Sequence, residues 1–372
     1  MVRERVDVAI AGGGPAGCAA AITLRAHAPG LSVALMEASD YAGPRVGETL
    51  PPPATEILEH LGVAEAFAGQ CHHPAYGTAA AWGSERAHEN DFVFHVRQVG
   101  WHLDRGAFDA MLADRAEAAG VRVLRGARVA EAARTEDGWR LSLSTGAAVD
   151  ARFVMDATGA GAALARRAGG VRSVAFDRLA GFVRFFRQPD GGTPHTLVEA
   201  FEDGWWYTAP LPDGRRVVAC MTDTDIARGM RLHRGTAWRA LLRRSAPRVM
   251  EALDGAAAEG EPLVRAARSR RLTAAAGEDW LAVGDAASTF DPLSSQGMTK
   301  ALRGGIFAAY AAGDLLARGD DAGIARYRDF IRREFDGYLA SRARYYADEQ
   351  RWPAHEFWRR RHAPVRTSAI AA

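Results

Sequence analysis

Gly12, Gly13, Gly14 and Gly17 stand between the apolar run Val6, Val8, Ile10 and the stretch Cys18–Leu24. A pyrophosphate needs glycine at three of these points. Gly12 allows the tight turn, Gly14 lets the main chain approach the phosphates, and Gly17 lets the following helix pack close to the strand. A helix opening at Pro15 and Ala16 turns its N-terminal dipole and free N–H groups toward that anion. Glu37 closes the next strand, Ser32–Met36, at the spacing of about 20 residues where a carboxylate holds ribose hydroxyls. Far downstream, Trp280–Val283 leads into Gly284-Asp285, and then into Phe290-Asp291-Pro292-Leu293-Ser294-Ser295-Gln296-Gly297-Met298. This second stretch offers a carboxylate at a strand end and a turn at a helix N-terminus, where the dipole stabilises negative charge.

The elements that must position these residues read as α/β. Val6–Ala11 is a buried parallel strand. Residues 45–53 are too rich in proline for a helix and form an ordered loop, followed by a helix from Ala54 to about Leu61. Asp104 caps a helix over Arg105–Ala119. Val121–Leu124 is the next parallel strand, short alternating strands lie around Val129, Trp139–Leu143 and Val149, and Phe153–Asp156 ends in the turn Ala157-Thr158-Gly159. A crossover falls near Gly169-Gly170. From Val174 the texture changes to antiparallel strands at Phe182–Phe186, Thr196–Phe201, Trp205–Ala209 and Val217–Met221, with similar character in Tyr76–Trp101. The chain closes with a long helix from about Gln296 and further helices to about Arg361.

The reading is therefore a Rossmann-like nucleotide-binding domain over 1–75, 103–172 and 275–310. An antiparallel-sheet substrate domain over 76–102 and 173–274 is inserted into it, and a helical segment over 311–372 follows. At 372 residues and 48% apolar content the chain has ample core. No apolar run is long enough to cross a membrane. The first strand starts so close to Met1 that no signal peptide is expected. Cys18, Cys71 and Cys220 lack metal or redox spacing and read as reduced thiols of a cytoplasmic protein. A formal charge of +2 gives no argument for nucleic acid, and no metal site is expected. One lysine, Lys300, stands among 47 basic residues.

The two stretches together resemble the two ends of the FAD site in flavin monooxygenases built like p-hydroxybenzoate hydroxylase. That resemblance implies a GR2-type fold and FAD as cofactor. It also implies cofactor-binding roles for Gly12, Gly14, Pro15, Ala16, Gly17, Glu37, Arg45, Arg105, Val129, Asp156, Gly159, Asp285, Pro292, Ser295, Gly297 and Met298. Val46-Gly47-Glu48-Thr49-Leu50-Pro51 and Gly204-Trp205-Trp206-Tyr207-Thr208-Ala209-Pro210 look like the flavin-facing loop and the Gly-Trp-x-Trp-x-Ile-Pro signature of tryptophan halogenases. Tyr207 and Ala209 depart from that signature. Halogenases also depend on a lysine early in the substrate domain, and Pro74–Gly83 holds none. The nearer match is to halogenase-like flavoproteins that oxidise peptidyl tryptophan, of the cysteine-tryptophylquinone maturation type. It rests on Val46–Leu50, Ala81-Trp82-Gly83-Ser84, Gly100–Arg105 and Asp291–Lys300.

What this resemblance implies is hydroxylation of an indole, free or peptidyl, through a flavin C4a-hydroperoxide. Dioxygen is the oxidant, and either NAD(P)H or a separate flavin reductase supplies electrons. Halogenase, flavin dehydrogenase or reductase, and a non-turnover maturation partner remain alternatives. A carrier peptide could present the substrate, in keeping with natural-product biosynthesis. Trp82, Trp205 and Tyr207 are candidate walls for an indole, with Trp101 and Trp206 as further aromatics; ordinary core packing is the competing reading. His102 is the first candidate base for the ring proton, and Glu48, His72 and His73 follow. The arginines and aromatics of the C-terminal segment could dock an acidic partner or form a helix with a solvated face.

Overall fold

The computed structural model describes residues 3–43, 45–92, 99–167, 170–188 and 194–363. β1 (Arg3–Ala11) pairs in parallel with β2 (Val33–Met36) on one side and with Ala148–Asp156 on the other. Val8, Ala9 and Ile10 are wholly buried, because helices cover one face of this sheet and further chain the other, so the run needs no polar alternation. Arg122–Leu124 extends the sheet beyond β2. Ala148–Asp156 is shared. Its first half pairs antiparallel with Gly138–Leu143, and its last three residues pair in parallel with Trp280–Ala282. That second pairing returns the distal stretch to the side of the glycine loop.

α1 (Pro15–His27) is built of small residues and packs on the long helix Gly297–Arg318. The approach is close enough that a Cβ on Gly305 would lie 2.3 Å from the Ala16 carbonyl oxygen. Asp104 caps Arg105–Ala118 by accepting from the Ala107 N–H at 3.0 Å.

The second sheet runs in the order Ala257–Ala266, Leu179–Arg187, Arg215–Asp223, Gly204–Pro210, Thr196–Phe201, Gly77–Ala81, His88–Asp91. All pairings are antiparallel except Thr196–Glu199 with Thr78–Ala81. Strand alternation splits its side chains cleanly. Phe182, Phe186, Trp206, Val218 and Cys220 pack on helices between Thr224 and Ala252. Val183, Trp205, Val217, Ala219 and Met221 form the other face. Those helices differ from the sequence reading, although Trp238, Leu241 and Leu242 have helical spacing. Gly100–His102 also differs. It forms a small separate sheet with Thr49–Leu50 and His73–Ala75, because the loop after Gly47 runs back beside it. The expected crossover at Gly169 lies outside the described residues.

The chain closes with helices Ala322–Ala347 and Glu356–His362 against the second sheet. Trp358 donates to the Phe201 carbonyl at 2.9 Å, and buried Arg361 pairs with buried Asp223 at 2.8 Å. Among the described residues no helix is long and apolar enough to cross a membrane.

Candidate functional site

A cavity of about 390 Å³ opens where the two sheets meet. Gly14, Pro15 and Ala16 form one end of it. Gly12 adopts φ 108°, and a Cβ there would strike the Ala157 carbonyl oxygen at 2.2 Å; on Gly17 it would strike the Gly12 carbonyl oxygen at 1.9 Å. At Gly14 nothing lies within 4 Å of such an atom, and no side chain caps α1. Open space before an uncapped helix N-terminus is what a diphosphate requires. The residues present fit FAD.

Glu37 receives the Gly13 N–H at 2.8 Å and the Ser39 N–H at 3.0 Å, at the end of β2. Arg45 bridges Glu37 at 3.2 Å and Asp109 at 2.8 Å. Arg105 also pairs with Asp109, at 3.1 Å, and donates to the Val46 carbonyl at 2.7 Å and the Gly47 carbonyl at 3.0 Å. Arg105 thus fastens the loop 46–49 to the wall of the cavity. A second, more polar cavity of about 350 Å³ adjoins the first through Glu48 and Arg105, and Arg45 and Arg215 line it.

Asp285, Pro292, Ser295, Gly297 and Met298 line the far end of the main cavity. Ser295 takes the left-handed conformation, φ 51°, which turns the chain into the long helix. Lys300 is buried behind Asp285. It donates to the Asp285 carboxylate at 2.7 Å and to the Ser288 carbonyl, and sits 4.7 Å over the Phe290 ring. It does not reach the cavity wall.

Glu48, Thr49 and Tyr207 meet on that wall. The Tyr207 hydroxyl donates to Glu48 Oε2 at 3.3 Å and shares a hydrogen bond with Thr49 Oγ1 at 2.9 Å. The Gly47 N–H donates to Glu48 Oε1 at 3.0 Å. Burial pushes the Glu48 carboxyl up, against the lowering effect of these donors and of Arg105. Burial, with the Glu48 charge behind it, pushes the Tyr207 hydroxyl well up too.

Several expected site residues stand elsewhere. His102 lines neither cavity. It is 0% exposed, its Nε2 lies 3.2 Å from the Pro194 carbonyl, and its Nδ1 has no hydrogen-bond partner among the described residues. Burial drops its pKa to about 4. Trp82 also misses the cavity, because its indole N–H is held by the Tyr345 carbonyl at 2.6 Å and its ring packs on Tyr346 and Trp358. The Asp156 carboxylate is occupied by the N–H groups of Thr158, Leu164 and Ala165. It shapes the turn that presents Ala157, Gly159 and Ala160 rather than facing the cavity itself. Val129 packs half-buried against the first core, away from both cavities.

Residues that the sequence reading passed over, Gly181, Val183, Val217, Ala219 and Met221, line the cavity with Trp205. Their signal was the period of two along strands already recognised. Four C-terminal arginines make ion pairs within the fold, Arg342 with Asp177 and Asp291, Arg360 and Arg361 with Asp223, and Arg351 with Glu349, while Arg344 and Arg359 are exposed and Arg366 lies outside the described residues. That favours packing over docking.

A family model described as tryptophan halogenase matches residues 7–94 and 76–369. The chain is 31% identical over 367 residues to a putative FAD-dependent oxidoreductase, LodB, of Marinomonas mediterranea, which covers 97% of this chain and 98% of the relative. It is 26% identical to a tryptophan 2-halogenase of Chondromyces crocatus, over 89% of this chain and 65% of that one. Among solved structures it is similar to CmlS, a flavin-dependent halogenase, with 28% identity, TM-score 0.86, and coverage of 98% and 69%. It is also similar to QhpG, a peptidyl tryptophan dihydroxylase, with 28% identity, TM-score 0.78, and coverage of 96% and 78%.

Proposed function

This chain belongs to the tryptophan halogenase family and is an FAD-dependent oxidoreductase, and from that premise we propose that it hydroxylates the indole of a tryptophan, carried on a peptide. The observation that carries hydroxylation over halogenation is Lys300. It is the one lysine of the chain, and it is 2% exposed behind Asp285 instead of facing the cavity. The likeness to a peptidyl tryptophan dihydroxylase supports a peptide-borne substrate. Halogenation is the second reading, favoured by the names of the family and of several relatives.

Gly14, Pro15 and Ala16 would hold the diphosphate of FAD, Glu37 its ribose, and Asp285 with Pro292–Met298 the ring end. Bound and reduced, FAD supplies the electrons that activate dioxygen for insertion into an electron-rich ring. Trp205, Val183 and Met221 make an apolar wall that excludes water and accepts an indole face. Glu48 is the base in this reading, displacing His102, which burial holds neutral and away from the cavity. It takes the ring proton released after oxygen transfer, directly or through the Tyr207 hydroxyl that it already accepts from. Its raised carboxyl lies nearer the working range of a base than an exposed glutamate would. Electrons come from NAD(P)H or from a separate flavin reductase.

The test supplies reduced FAD, heavy-isotope dioxygen, bromide and a tryptophan-bearing peptide to the purified enzyme. Heavy oxygen in the peptide product supports hydroxylation. A brominated product carrying no heavy oxygen would replace this reading with halogenation, and a dehydrogenated product carrying neither would replace both.

A further inference from the structure

A line of oxidisable rings runs from the cavity to the surface. Trp205 lines the cavity and donates its indole N–H to the Tyr346 hydroxyl at 3.1 Å. Tyr346 in turn donates to Asp291 Oδ2 at 2.7 Å, and Asp291 is a fully buried carboxylate at the cavity wall. The Tyr346 ring lies 5.8 Å from Trp82 and 6.0 Å from Trp358, which are themselves 5.4 Å apart. Trp358 stacks on Trp352 at 6.1 Å and 27°. Trp352 is half-buried at the protein surface, with the Arg351 guanidinium 4.3 Å over its ring.

Tryptophan and tyrosine are among the side chains that lose one electron most readily. A tyrosine that does so also sheds its phenolic proton, and needs an acceptor aligned with the hydroxyl. Asp291 is so aligned, and burial pushes its carboxyl up, which suits it to take that proton. The guanidinium groups of Arg342 and Arg361 lie 4.8 and 5.0 Å over the Tyr346 ring, so a cationic ring is disfavoured there. Loss of the electron must therefore accompany loss of the proton. Asp291 is held in place by the Leu293 N–H at 3.0 Å and by Arg342 at 3.3 Å, which offset the cost of burying its charge and leave Oδ2 facing the Tyr346 hydroxyl. On the opposite face of the sheet Trp206 and Trp238 also pack together, but their N–H groups go to the Ser245 hydroxyl and the Phe182 carbonyl.

We propose that these residues form a path that carries electrons inward from Trp352, one at a time, to a light-excited oxidised flavin held in the cavity, which is the one-electron oxidant. The proposal rests on the assignment of FAD to the cavity. The oxidant gains one electron from Trp205. Tyr346 refills Trp205 and passes its proton to Asp291. Trp358 or Trp82, and then Trp352, refill Tyr346, which recovers the proton. A thiol in solution supplies the last electron to Trp352, and is itself oxidised to a disulfide after two such events.

The FAD-loaded enzyme under blue light provides a defined oxidant, the excited oxidised flavin. Two readouts follow: the rate of flavin bleaching without oxygen in the presence of dithiothreitol, and the sites of tryptophan oxidation, mapped by peptide mass spectrometry, in air without it. Trp352→Phe is expected to slow bleaching several-fold and to move oxidation from Trp352 to Trp358 and Trp82. Tyr346→Phe is expected to slow bleaching further and to leave oxidation at Trp205. Tyr345→Phe, exposed and off the path, is expected to match the unaltered enzyme. Each sample is first checked for bound flavin by absorbance. Colourless protein would overturn the cofactor assignment and the path together. Yellow protein whose bleaching and oxidation sites are unchanged in Trp352→Phe would overturn the path alone.

Discussion

Glu48 and Tyr207 touch across 159 residues of sequence, and each bears on where the other's proton sits. A buried carboxylate without donors would be neutral and a poor base; a buried phenol without an acceptor would hold its proton. Together they place a proton donor and acceptor on the cavity wall, beside Thr49 and close to the apolar face of Trp205, Val183 and Met221. Glu48→Gln is expected to lower the rate of product formation by about 10²–10⁴-fold, the usual contribution of a general base. Flavin absorbance should be retained. Tyr207→Phe should cost less, because Glu48 keeps its donor at Gly47. Steady-state rates with flavin content measured on the same samples check both, and equal losses in flavin and rate would make these residues cofactor ligands only. Sequence shows residue types but not their company. Glu48 was visible in its loop, yet its pairing with Tyr207 depends on how that loop lies against the second sheet, with which it shares no strand pairing. His102 was favoured for its ring chemistry, while its burial beneath Pro194 left no trace in the residues around it.

α1 and the long helix Gly297–Arg318 are where the two distant stretches become one site. Gly305 meets the Ala16 carbonyl oxygen, whereas a Cβ on its neighbour Gly304 would find nothing closer than the Gly284 nitrogen at 3.7 Å. Gly305→Ala should therefore push α1 away and cost about 1–3 kcal/mol, the range for overpacking. It should also weaken FAD binding, since the helix N-terminus moves. Gly304→Ala fits, and should gain up to about 1 kcal/mol from helix propensity. Thermal melting and flavin fluorescence titration of the pair distinguish these outcomes; similar behaviour of the two variants would sink the argument. The central strands, α1 and the long helix were legible because glycine spacing and apolar runs are local signals. The parallel entry of Gly77–Ala81 beside Thr196–Glu199, and the small sheet at Thr49–Leu50, were not, because pairing partners leave no periodicity in either strand.

The molecule as a whole carries a pH dependence set by what it buries. His72 and His102 are both pushed down to about 4, chiefly by burial. Between that value and the ordinary histidine pKa the unfolded chain binds protons that the native one refuses. Stability from these groups therefore rises with pH through this window and is lost as pH falls through it, by up to about 1.4 kcal/mol per pH unit for each. Glu48 and Asp291, raised by burial, act in the opposite sense above the usual carboxylate range. Urea unfolding of the unaltered protein and of His102→Gln between pH 4 and 7 isolates the histidine share: the variant's stability should rise less with pH, by up to about 1.4 kcal/mol per pH unit. Parallel curves would remove His102 from the account. One further property follows from Lys300, sealed against Asp285 and Phe290. An acylating reagent finds no accessible ε-amine on the native protein, so the appearance of that single adduct reports directly when the long helix comes away from the flavin-site turn.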